Sequence, residues 1–140
     1  MLAHSQEELG TLVFRWILPV CRFTSYVHPN IMAGIFPLQE GDLVVKDVSI
    51  VTISCTMSRE EACKSFLLTG YRAATFVELL HWWLVHPTQE SDHLVVALGS
   101  EWLGNVPHID ARNGCRGLSL SGIGGDCSVL WRFAVVRTTP

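Results

Sequence analysis

Hydrophobic and polar positions change their period several times along the chain. "DLVVKDVSIVTIS" (42–54) is rich in Val and Ile with partial alternation, which predicts an extended strand or a pair of short ones. "MSREEACKSFLLTGY" then takes helical spacing, with Ala62, Cys63, Phe66 and Leu67 on one face and Gly70 placed to end the helix. Ser58 followed by Glu61 is a capping box, in which each side chain satisfies the other residue's backbone N–H. Thr75 and Glu78 repeat that start, and Phe76, Leu79, Leu80 and Trp83 form the stripe of a second helix that Pro87 stops. Trp82 cannot share that face, so it is expected at a partly covered edge or under the N-terminal segment.

"DHLVVALGS" (92–100) returns to strand character, with five consecutive apolar residues suited to burial on both faces. Residues 104–130 hold six glycines and read as a long irregular region, with "GLSL" (117–120) alternating as a short strand inside it. "WRFAVVR" (131–137) is the closing strand. Strand, helix, helix, strand, irregular region and strand together predict an α+β domain. Residues 41–140 form that domain. Residues 1–40 carry little pattern and read as an N-terminal extension of uncertain role, packed on the domain or lying upstream of it.

At 140 residues the chain has the length of one domain, and its hydrophobic content of 49% is ample for a core. The net charge of −3, with Lys and Arg scattered singly, gives no basic stripe for nucleic acid. "TLVFRWILPVC" is interrupted by Arg15 and Pro19 and is too short for a bilayer span, and it lacks the marks of a secretory leader. Membrane insertion is therefore not expected, and the cytoplasm is the default location. The five cysteines show no C-x-x-C spacing, which favours reduced thiols over a disulfide framework or zinc site.

Several groupings could carry chemistry, each beside a plainer reading. His81, His86 and His93 could be drawn together on a metal, but histidines near a helix end more often interact with its dipole. Cys115 or Cys127 with His108 could form a nucleophilic pair, yet no residue nearby in sequence orients the imidazole. "GIGG" lacks the Lys-Ser/Thr and the helix that a phosphate loop needs. No catalytic residue, metal or cofactor is implied. What stands out instead is that residues 104–130 contain no Lys, Glu, Gln, Met or Trp, all of which occur elsewhere. Loops favour Gly, Ser, Asn and Asp, which accounts for part of this bias.

"GYRAATFVELL" resembles the G-x-R-x-A-T-x-x-E-L-L opening of the second helix in a group of small bacterial proteins. "LVVALGSEW", "VPHID", "CRGLSL" and "WRFAVVR" follow in that group's order, so the resemblance covers about residues 47–137. The group is the variable proteins targeted by diversity-generating retroelements, whose C-type lectin-like fold implies two helices flanking a small mixed or antiparallel sheet with a long irregular loop region. The resemblance implies a non-enzymatic protein that presents a diversified surface, about residues 104–131, to an unknown protein or surface ligand. In such systems substitution at template adenines, often in AAC codons, yields Asn, Ser, Gly, Asp, Ile, Val, Cys, Arg, His, Leu and a few others. It cannot yield the five types missing here. His108, Asp110, Arg112, Asn113, Ser119, Ser121, Ile123, Asp126, Cys127, Ser128 and Leu130 are the candidates for that ligand-binding surface, with Leu130 equally suited to the core. Ala134, Val135 and Val136 would supply scaffold.

Two departures from the group are visible. Cys127 or Ser128 stands where an aromatic residue is common, and residues 1–40 have no counterpart. The Glu-Pro-Asn, Gln-Pro-Asp and Trp-Asn-Asp motifs of calcium-dependent sugar binding are missing. Two other uses of such a domain stay open. One is an oxidase like the formylglycine-generating enzyme, with Cys115 and Cys127 holding copper. The other is a small structural or assembly domain, packing its glycine-rich region on a neighbour.

Overall fold

The computed structural model describes residues 17–31, 35–36, 42, 47–86, 92–122 and 126–138. Its strands are β1 (Tyr26–Val27), β2 (Val48–Val51), β3 (Tyr71–Ala73), β4 (Val95–Val96), β5 (Asn105–Asp110), β6 (Gly117–Gly122) and β7 (Arg132–Arg137). Two ten-residue helices, α1 (Arg59–Leu68) and α2 (Phe76–Val85), accompany them, and a single helical turn spans Leu18–Val20. The architecture is mixed α+β, around one seven-stranded mixed sheet of order β1-β6-β5-β4-β7-β2, with β3 also on β7. The first long strand and the last are antiparallel neighbours, Val48 opposite Val136 and Val51 opposite Phe133.

Alternation along β7 divides the interior in two, because successive side chains of a strand point to opposite faces. Ala134 and Val136 join Val95, Ile109 and Leu118 beneath α2, while Phe133 and Val135 join Val96, Leu98 and Val106 beneath α1. The helices thus cover opposite faces of the sheet. Both begin with the expected capping box: Ser58 and Thr75 accept from the N–H groups of Glu61 and Glu78, whose carboxylates accept in return. In α1 only Ala62 and Phe66 are buried, and Leu67, expected on the same face, is exposed. In α2 the burial runs nearly all round, and Trp82 is buried in one cluster with Cys21, Ile31 and Phe36, in keeping with the second of its two expected placements, under the N-terminal segment, and not with a partly covered edge.

The "GYRAATFVELL" segment is a structural lock. Arg72 on β3 donates to both carboxylate oxygens of buried Glu78 at 2.7 Å, and the Thr75 hydroxyl donates to Asp42 at 2.6 Å. Gly99 lies across from it, where an added Cβ would stand 2.5 Å from the Ala74 carbonyl oxygen. Three of the described residues before position 41 enter the core. Cys21, Ile31 and Phe36 are buried in the α2 cluster, the Trp83 indole donates to the Cys21 carbonyl at 2.7 Å, and Phe23 stacks on Trp83.

Residues 104–130 are more regular than their glycines suggest. β5 and β6 pair over six positions, from Asn105–Gly122 to Asp110–Gly117. Among the described residues of this stretch, Gly104, the 111–116 connection with its Arg112–Gly114 3-10 turn and the segment before β7 lie outside the strands.

Candidate functional site

The β5–β6 pair sorts the candidate residues by face. Residues opposite one another in an antiparallel pair share a side. Ile109 with Leu118 and Pro107 with Leu120 therefore face α2, while His108 with Ser119 and Val106 with Ser121 face the other way. The alternation in "VPHID" and "GLSLS" produces a row of His108, Asp110, Ser119 and Ser121 along one face. Tyr26 of β1 extends that row: it pairs with Gly117, where a Cβ would stand 2.5 Å from its ring.

Within the row the groups satisfy one another. Ser121 Oγ and His108 Nδ1 share a hydrogen bond of 2.5 Å, and both residues are buried. Burial lowers the His108 pKa to about 4, against the pull of Asp110, so the imidazole is neutral at pH 7. Asp110 accepts from Arg112 through the backbone N–H, Nε and Nη2, each at 3.0 Å, and from the Tyr26 hydroxyl at 3.3 Å. Those Arg112 hydrogen bonds hold its carboxyl below the usual range. Asp110 is thereby committed as a support beneath Arg112, whose own side chain is half exposed. The Ser121 hydroxyl and the neutral His108 imidazole pair with each other, while the nearby Asp110 carboxylate is engaged by Arg112 and Tyr26.

Beside the row the chain turns before β7. Cys127 N–H donates to the Met57 carbonyl at 2.7 Å, and this bridge turns the Cys127 side chain into the α1 cluster with Phe133 and Val135. Ser128 Oγ accepts from the Leu130 N–H at 3.0 Å and its carbonyl from the Trp131 N–H at 3.2 Å. That tight turn leaves Val129 and Leu130 outward, Leu130 at 66% exposure. Asp92, His93, Leu94, Arg112, Ser128, Leu130 and Trp131 enclose a groove of about 280 Å³.

The eleven candidates therefore fall into distinct groups. Arg112, Asn113, Asp126 and Leu130 are exposed, which settles Leu130 as surface, and Ser119 and Ser128 are half-buried. His108, Asp110, Ser121 and Cys127 were expected on display and are buried instead. The first three stand in paired strands, not in a loop, and the Met57 bridge draws in the fourth. Ile123 lies outside the described residues. Arg112, Ser128 and Leu130 meet at the groove, whereas Asn113 and Asp126 do not line it.

Sequence reasoning passed over Tyr26, Asp92, Leu94 and Trp131. Only the apolar run after Asp92 and the lone Trp before the last strand could have signalled the last three. Among the described residues no three His, Cys, Asp or Glu side chains gather as a metal set, and the buried Cys127 thiol is raised by desolvation first and by neighbouring Cys63 next. No family model, curated protein or solved structure matches the chain.

Proposed function

We propose that the chain is a non-enzymatic ligand-binding protein, a C-type lectin-like domain whose 104–131 surface is diversified by a retroelement. The observation that carries this reading is the division of labour in that surface. Backbone ladders in β5, β6 and β7 hold the segment, while Arg112, Ser128 and Leu130 project around the groove without taking part in those ladders. Side chains there can change with the frame intact, as antibody loops do on their scaffold. The absence of Lys, Glu, Gln, Met and Trp from residues 104–130 supports the same reading, since adenine-directed substitution of AAC codons cannot produce them.

The groove favours a protein surface over a small molecule. Its 280 Å³ falls just under the roughly 300–1,000 Å³ usual for enclosed small-molecule sites. Leu130 and Trp131 supply apolar anchors at the groove, and Arg112 with Asp92 supplies polar recognition at the rim.

Nucleotide sequence around the gene tests the reading. We expect a near-repeat of the codons for about residues 105–131 beside a reverse transcriptase gene, differing mainly opposite template adenines. A locus with neither feature refutes the retroelement.

A further inference from the structure

A second and larger concavity lies apart from that groove and shares no lining residue with it. It measures about 760 Å³, inside the range of small-molecule sites, and is bounded by the β2 end, residues 52–54 and 57, one side of α1, Tyr71 and Arg132. Its floor is apolar: Ile53 and Phe66 are buried, with Ile50, Val51 and Met57 half-buried around them.

Charge along its wall is one-sided. Among the described residues no Asp or Glu lines it, and Arg132 is the one charged side chain in its lining. The Arg137 guanidinium lies 5.3 Å from the Tyr71 ring centroid, adding a second positive charge beside the wall. Ser65 and Thr69 donate their hydroxyls to the Ala62 and Phe66 carbonyls, so their oxygens remain acceptors towards the opening.

An apolar floor with Arg132 in the wall, and no carboxylate among its described lining residues, suits a molecule that has a hydrocarbon body and one anionic head. We propose that this groove binds an amphiphilic carboxylate, such as a medium-chain fatty acid, with the hydrocarbon over Phe66 and Ile53 and the carboxylate on Arg132. The assignment is independent of the retroelement reading, because it rests on none of the residues that vary there.

Calorimetric titration of the full chain with hexanoate, octanoate, decanoate and the matching 1-alkanols tests it. Affinity should rise about threefold to fourfold with each added CH₂. Each carboxylate should bind about tenfold more tightly than its alkanol, through the charged hydrogen bond. Arg132→Gln should abolish that tenfold gap and leave alkanol binding unchanged, with the fold checked by far-UV circular dichroism. Ser65→Phe, which fills the groove from the surface of α1, should weaken acids and alkanols alike. Undetectable binding of decanoate at millimolar concentration would overturn the proposal, as would equal affinity for acid and alkanol or binding indifferent to both substitutions.

Discussion

His108 is the residue whose behaviour departs furthest from what its type suggests. Its folded pKa of about 4 lies below the ordinary 6.5, so above pH 6.5 the ring is neutral in both folded and unfolded chains. Between pH 6.5 and 4 the unfolded chain takes up a proton that the folded chain refuses. Stability must therefore fall across that window, by up to about 3 kcal/mol in total. Urea unfolding at stepped pH should show the loss, and His108→Gln should flatten it. The depressed Asp110 carboxyl acts in a separate window. Its contribution is full above the ordinary carboxylate pKa and is lost only as pH falls through its lower folded value. At this scale the sequence was informative about residue types but not about exposure. The H-I-D and S-L-S alternations were visible, yet which strands they paired with, and so which face they met, depended on contacts distant in the chain.

At the scale of elements, both helices were legible because their start signals are local. A Ser or Thr and a Glu three residues on close a hydrogen-bonded ring within one turn, whatever the rest of the chain does. Two- and three-residue strands such as β1 and β3 leave too few positions for any period to show, whereas the apolar run around β4 marked it as a strand. β5 was hidden by its proline and by the glycines around it. The junction of β3 and α2 gives the sharpest predictions here. Glu78→Ala leaves Arg72 without its partner and opens the Thr75 cap, which should cost about 3 kcal/mol, the lower end for a buried pair because Arg72 is partly solvated. Gly99→Ala forces a methyl against the Ala74 carbonyl and should cost about 2 kcal/mol, with the backbone hydrogen bond from Gly99 to Ala74 strained. Chemical denaturation of each variant at pH 7 measures both. A neutral Gly99→Ala would mean that β4 and β3 approach less closely than described.

For the whole molecule, the arrangement is a sheet with a helix on each face and a closing strand, β7, next to the edge strand β2. β7 contacts β2, β3 and β4 at once, so its backbone orders both the chain before α1 and the chain after α2. The α+β class followed from the order of periodic segments, whereas the burial of Cys21, Ile31 and Phe36 in the N-terminal segments did not. Their apolar residues are scattered, and only the folded core shows that Cys21 and Phe23 cover Trp83. A frame closed in this way can carry a turn whose side chains contribute little to folding, and residues 126–130 are where that idea is most exposed to test.

The direct measurement is thermal stability of single substitutions across Asp126–Leu130, with Cys127 as the internal contrast. Variants at Asp126, Ser128, Val129 and Leu130 should stay within about 1 kcal/mol of the parent, a shift of at most about 4 °C. Cys127→Asp, which buries a carboxylate among Phe133 and Val135, should cost well over 3 kcal/mol or prevent folding. Comparable losses at all five positions would show that the turn is part of the core and would contradict a replaceable binding surface.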